Sequence, residues 1–284
     1  MDLFFKDKYL NTGKLAGIQT LISRKGKIVH FNSIGKSDVE KSKNIKSDTI
    51  FRIYSMTKPI TSVALMQLHE QGLFQLADPV GKFLPEFKNS KVFLQGSFPN
   101  FLTTPAKRDM TVRDLLSHTS GLTYGFHYQT NIDHAYRKVW AGSKEEESDF
   151  NMPPMDLKTF SETIAKIPLE FSPGDRWNYS VSTDICGRLI EVLSGLSLQE
   201  YFKKYIFKPL EMIDTDFYVP ANKLSRFAAC YERTPKTYLK LNDSSDKSSS
   251  YSKMPLFQSG GGGLVSTSSA VSYTHLRAHE TSLH

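Results

Sequence analysis

Cysteine is scarce in this chain of 284 residues: there are two, Cys186 and Cys230. At most one disulfide can form, so no disulfide framework holds the fold together. Cys186 lies in "STDICGRLIEVL", which reads as a buried helix, where a free thiol behaves as a small apolar side chain. No Cys/His cluster has zinc spacing. No apolar run approaches the ~18 to 20 residues of a membrane span. The N-terminus, "MDLFFKDKYLNTGK", lacks the basic start and apolar run of a secretory signal, which favours the cytoplasm and leaves the periplasm open for a mature form. The net charge is +7, but its lysines are scattered singly along "RKGK", "KSKNIK" and "YFKK". With no basic stripe and no interleaved aromatics, nucleic acid is not an expected partner. Gly-x-Ser-x-Gly is missing too, which argues against an ordinary α/β-hydrolase.

What is present suits a globular protein. The chain is 39% hydrophobic and 12% aromatic, enough for a sizeable core in one large domain or two smaller ones. "GIQTLISRKGKIVHFNSIG" predicts two strands joined at Lys25-Gly26, where glycine can take a positive φ. "DTIFRIYS" predicts a third extended piece leading into a helix that stops at Gly72. The middle of the chain reads as mostly helical with long loops. "TVRDLLSH" and "SLQEYFKKYIF" each open with a capping pair, Thr111 with Asp114 and Ser197 with Glu200. "SKEEESDFNMPPMD" reads as a surface loop. Residues 236–255, rich in Ser, Lys and Asp and without periodicity, are expected to be a loop or a disordered insertion.

The helix after the third strand carries the most pointed chemistry. In "FRIYSMTKPITSVALMQL", Ser55 precedes Lys58 by three positions, so both fall on one face, one turn apart. The same Ser-x-x-Lys spacing occurs at Ser33/Lys36, Ser244/Lys247 and Ser250/Lys253, but none of these opens an apolar helix. Pro59 is tolerated in a first turn, where its missing N–H would have no intrahelical partner. A serine hydroxyl needs a base before it can attack. A lysine serves as one only if burial or a neighbouring cation brings its pKa from about 10.4 toward neutrality. A helix N-terminus disfavours an ammonium and offers free N–H groups to an oxyanion. From this stretch alone, a capping serine with a surface lysine remains the alternative.

Longer segments go further. "DTIFRIYSMTKPITSVALMQLHEQGLFQLADPVGKFLPEF", "TVRDLLSHTSGL", "SPGDRWNYSVSTDICGRLIEVLSG" and "YFKKYIFKPLEMIDTDF" follow one another in this order. Together they resemble the β-lactamase-related serine hydrolases: class C β-lactamases, D-alanyl-D-alanine peptidases and family VIII carboxylesterases. The resemblance runs from about residue 13 to about residue 268. It implies an α/β (α+β) fold, an antiparallel sheet flanked by helices with an inserted, mostly helical domain. It implies that Ser55 is the acylated nucleophile and Lys58 its activator. Tyr179 in "NYSVS" matches the family's second motif, and a phenol beside an ammonium can relay the serine proton as one coupled pair with it. Class C enzymes have Asn two residues after that tyrosine, helping to hold the substrate's amide side chain. Val181 stands there instead, a substrate-facing position without donor or acceptor, which tilts the expectation toward esters. His118 in "SHTSG" is expected to mark a structural turn rather than a Ser-His-Asp triad.

The resemblance also sets an expectation for the end of the chain. The family's third motif is Lys-Thr-Gly, His-x-Gly or Trp-Gly-Gly; no Lys-Thr-Gly or Trp-Gly-Gly is found, and "YTHLRAHETSLH" follows where a helix and several strands are expected. His275 and His279 are four apart, yet "HLRAHE" lacks the acid of His-Glu-x-x-His. The expected division is residues 1–72 and 225–271 as an incomplete sheet domain, 73–224 as an inserted helical domain, and 272–284 as a foreign tail. The chain as it stands is accordingly expected to be inactive or nearly so, lacking the strand that supplies a second oxyanion donor. For the complete enzyme the expected order of substrates is short-chain esters, then β-lactams, then D-alanyl-D-alanine peptides, with no cofactor or metal. A non-catalytic binding protein on the same fold is the alternative of a different kind.

Overall fold

The computed structural model describes residues 1–141, 155–234 and 239–277. A short helix, α1 (Asp2–Phe5), precedes strands β1 (Gly17–Arg24), β2 (Lys27–Asp38), β3 (Lys43–Asn44) and β4 (Phe51–Arg52). Helix α2 (Thr57–Glu70) follows, then strands β5 (Lys91–Ser97) and β6 (Asn100–Pro105). Helices α3 (Val112–Leu116), α4 (Asn131–Ala141), α5 (Leu157–Ile164), α6 (Ser182–Ser194) and α7 (Leu198–Phe202) come next. Strands β7 (Cys230–Glu232), β8 (Lys240–Asp243) and β9 (Val265–Ser266) precede helix α8 (Ser268–Arg277). The strand pairs are antiparallel, so the architecture is α+β. Most of the charged stretch at 143–156, and the tail from 278 on with His279 and His284, lie outside the described residues.

The chain divides into two compact units. The first comprises Met1–Tyr54, Ile206–Pro255 and Leu264–His284. Its main sheet has the order β1-β2-β3. The hairpin closes on Lys25 and Gly26 at φ 50° and 73°, the two positive angles that match a two-residue loop to the twist of its strands. This sets the register, from Arg24 opposite Lys27 to Gly17 opposite Gly35. Strand β4 pairs with β9, Phe51 opposite Ser266. Cys230 is half-buried, its sulfur 3.2 Å from the Tyr54 hydroxyl.

In the same unit, 239–255, the described part of the stretch expected to be a loop or disordered insertion, holds some regular structure. Residues 240–243 form β8 against β7, and Ser250–Ser252 form a 3-10 turn. Polar side chains rather than apolar periodicity order this stretch. Arg52, 9% exposed, donates to the Ala228 carbonyl (2.7 Å), the Ser244 carbonyl (2.9 Å) and the Asp243 carboxylate. Its guanidinium lies 4.1 Å from the Phe227 ring centroid and 5.2 Å from that of Tyr251. The planar fork of arginine suits such paired and stacked contacts.

The second unit comprises Ser55–Tyr205 and Leu256–Gly263. Helix α6 packs against α2, α3, α5 and α7. It buries Ile185, Cys186, Leu189 and Ile190, while α2 buries Ile60, Ala64, Leu65 and Leu68. Full burial of such a side chain is worth roughly 1.5 to 3 kcal/mol. Both capping boxes form, at Thr111/Asp114 and Ser197/Glu200. Between α2 and α3 the expected mostly helical run is interrupted by the β5–β6 hairpin, Lys91 opposite Pro105 through Ser97 opposite Asn100. Its β-branched and aromatic residues favour strands, but a bulge between Phe93 and Gln95 breaks the alternation that would have revealed them.

Candidate active site

Ser55 sits in a single 3-10 turn, Tyr54–Met56, immediately before α2. Its side chain is exposed. Lys58 is the second residue of α2, so one helical turn brings its ammonium back over the serine. Lys58 Nζ donates to Ser55 Oγ at 3.2 Å and to the Gly261 carbonyl at 2.6 Å. The Tyr179 hydroxyl donates to Ser55 Oγ at 2.7 Å. Lys58 Nζ also lies 4.5 Å from the Tyr179 ring centroid and 5.4 Å from that of Tyr124. The other Ser-x-x-Lys serines turn elsewhere. Ser33 Oγ accepts from Gln19 (2.8 Å), Ser244 donates to Asp246 (2.9 Å), and Ser250 faces Asp243 (3.5 Å).

Tyr179 belongs to an extended segment that runs into α6, and residues 118–127 hold it. The Asn178 N–H donates to the His118 carbonyl (2.8 Å) and the Val181 N–H to the Thr123 carbonyl (3.2 Å). His127 Nε2 lies 2.7 Å from the Tyr179 carbonyl, so it carries the proton and donates. Val181, expected at a substrate-facing position, is instead fully buried directly before α6 and presents no surface to a substrate. His118 adopts φ 56°, as a tight turn requires, and its ring packs 5.0 Å from that of Tyr179. Burial, with the Lys58 charge adding to it, pushes the His118 imidazole down to about 4. It is therefore neutral at physiological pH, and it bonds Ser180 Oγ (3.2 Å) rather than Ser55.

Three groups behind the serine carry no motif. The Gly261 carbonyl accepts the shorter of the two lysine bonds. Tyr124 is buried beneath the lysine. Burial first, then the Asp184 charge and Tyr179, raises its hydroxyl well above the usual phenol range, so it stays neutral. Asp184, fully buried, accepts from Ser259 Oγ (2.6 Å) and the Gly261 N–H (3.0 Å). Burial raises its carboxyl pKa, and those two bonds together with the Lys58 charge oppose the rise. The available signals were an acid, Asp184, at the start of the stretch "STDICGRLIEVL" and the glycine run at 260–263. Among the described residues no group of His, Cys, Asp or Glu side chains gathers to hold a metal, and no helix is long and apolar enough to cross a membrane.

An exposed hydroxyl at a helix start, met by an ammonium and a phenol, is an arrangement for moving one proton on and off that oxygen. The Beta-lactamase family model matches residues 6–275, and the chain belongs to that family. Among curated proteins, Protein Rv1367c of Mycobacterium tuberculosis is 32% identical over 257 residues, which is 90% of this chain and 60% of that protein. Esterase EstB of Burkholderia gladioli is 32% identical over 225 residues, 79% of this chain and 52% of the esterase. The chain thus spans between half and two thirds of the length of these relatives. Among solved structures, EstCE1, described as a hydrolase with promiscuous acyltransferase activity, superposes with a TM-score of 0.76 at 24% identity, over 96% of this chain and 70% of its own. The fold is that of the β-lactamases and transpeptidases.

Proposed function

We propose that the protein is a serine hydrolase that opens ester or amide carbonyls through an acyl-enzyme on Ser55, with short-chain carboxylic esters as its preferred substrates. One observation carries the reading: Lys58 Nζ and the Tyr179 hydroxyl converge on the same oxygen, at 3.2 and 2.7 Å. In this reading Tyr179 acts as a phenolate beside the Lys58 ammonium, and it takes the Ser55 proton as Oγ attacks the carbonyl carbon. The same proton then goes to the leaving oxygen as the C–O bond breaks. Water repeats the sequence against the acyl-enzyme, releasing the acid and returning the proton to Ser55. The Lys58 charge stabilises the negative charge that develops on oxygen during each transfer.

The preference for esters rests on the relatives, one of which is named an esterase. β-Lactams rank second and D-alanyl-D-alanine peptides third. The test is hydrolysis of a p-nitrophenyl ester against a chromogenic cephalosporin by the full-length protein, with peptide mapping after a fluorophosphonate probe. Greater kcat/KM for the ester and an adduct on Ser55 are expected. An adduct on another residue, or wild-type turnover in Ser55→Ala, removes the nucleophile from the scheme and restores the binding-protein alternative. A higher kcat/KM for the cephalosporin reverses the substrate order.

A further inference from the structure

The segment Leu256–Gly263 belongs to the second unit although it lies far along the chain from the other residues there. It is tied to both helices that frame the site. From α2, Thr61 Oγ1 donates to the Gly260 carbonyl (2.7 Å), and Lys58 Nζ to the Gly261 carbonyl (2.6 Å). From α6, Asp184 Oδ1 accepts the Gly261 N–H and the Ser259 hydroxyl. Gly261 is thus held at both of its backbone groups, by the carboxylate through its N–H and by the lysine through its C=O. The approach is close enough to require glycine. A Cβ on Gly261 would come within 2.6 Å of Asp184 Oδ2 and 2.8 Å of the Tyr124 hydroxyl.

A carboxylate buried in the first turn of a core helix is costly to desolvate, and nothing in the proposed chemistry uses Asp184 directly. We infer that Asp184 is a positioning residue: by fixing Gly261 it sets the carbonyl that holds the Lys58 ammonium between Ser55 and Tyr179. The inference rests on the serine-hydrolase reading. It assigns Asp184 an effect on turnover with little effect on substrate binding, because the aspartate acts through a backbone group and the lysine.

The experiment is steady-state hydrolysis of p-nitrophenyl acetate by the full-length protein, with fluorophosphonate labelling to count competent serines. Asp184→Ala removes the acceptor and Asp184→Asn retains a carbonyl oxygen for both donors. In Asp184→Ala, kcat per labelled site is expected to fall about 10²-fold, the scale of a small misplacement of a reacting group, with KM within about threefold of wild type. Asp184→Asn is expected to recover to within about tenfold of wild type, since the positioning bonds survive. Should Asp184→Ala not fold, Thr61→Val combined with Ser259→Ala loosens the same segment without touching Ser55, Lys58, Tyr179 or Asp184, and is expected to lower kcat about tenfold. Wild-type kcat per labelled site in a folded Asp184→Ala, or in the double variant, overturns the inference. So does a loss confined to melting temperature, which marks Asp184 as structural only. If the wild type is not labelled at Ser55, the functional reading falls and the inference with it. Labelling of Ser55 with unaffected variants sinks the inference alone.

Discussion

Two cations sit over pairs of aromatic rings in this protein, to opposite ends. Arg52, in the first unit, lies 4.1 and 5.2 Å from Phe227 and Tyr251; Lys58, in the second, lies 4.5 and 5.4 Å from Tyr179 and Tyr124. Arg52 is paired directly with the Asp243 carboxylate and bonded to backbone carbonyls. Its charge is matched at short range, so the cluster is a lock. Lys58 instead donates to a hydroxyl and to a carbonyl, and Asp184 reaches it only through Gly261. A charge held near its opposite but not bonded to it stays available to an oxygen that changes protonation. The same cation-over-ring construction thus has the acid in contact at Arg52 and one glycine between cation and acid at Lys58, the arrangement on which the proposed chemistry draws.

That contrast can be broken by exchanging what each cation supports. Lys58→Met is expected to lower kcat/KM for the ester by roughly 10⁴, the upper end for a proton-transfer group, while shifting the urea midpoint little. Loss of folding comparable to that of the arginine variant would erase the distinction. Arg52→Met leaves Asp243 without its counter-charge and is expected to cost about 3 to 5 kcal/mol in equilibrium urea unfolding. A change under about 1 kcal/mol, the range of an exposed pair, would demote the cluster to a surface feature. Tyr179→Phe keeps the ring under the lysine and removes the hydroxyl. It is expected to lower kcat by about 10² and leave stability nearly unchanged, which single-turnover kinetics and thermal melts separate.

His118 gives the smallest effect and the clearest sign. Its folded-state pKa of about 4 lies below its ordinary 6.5, so folding favours the neutral ring. The stability this contributes is fully present above pH 6.5 and is lost as pH falls through about 4. Asn tolerates the left-handed backbone there. The difference between wild-type and His118→Asn urea midpoints should therefore shrink on acidification across that window. Asp114, held low by Arg108 and Thr111 against the opposing effect of its burial, loses its contribution only as pH falls further, below its ordinary 3.8. A constant difference across pH would show that the ring titrates normally.

The legible parts of the molecule were those written in neighbouring residues. Lys25-Gly26 announces a hairpin through its backbone angles. Thr111/Asp114 and Ser197/Glu200 announce helix starts through bonds that close within four residues. Ser55 and Lys58 are one turn apart, and the segment around Tyr179 carries a family pattern. What stayed hidden depends on partners far along the chain. Residues 240–251 look disordered until Arg52, almost two hundred positions earlier, is brought to Asp243. Gly261 is one glycine in a run until Lys58 and Asp184 grip its two ends. The β5–β6 hairpin was hidden for a local reason, a bulge that spoils its alternation.

The two cysteines give the folded chain a built-in clock. Cys230 is half-accessible beside Tyr54, whereas Cys186 is wholly enclosed in α6 and burial pushes its thiol far above the usual range. A thiol reagent added to native protein should modify Cys230 first and reach Cys186 only when the helical unit opens. Because thiolates are the reacting species, the second, slow phase reports the opening rate of the very helix that bears Asp184. Native-state labelling followed by intact mass can thus time the breathing of the second unit without any substitution.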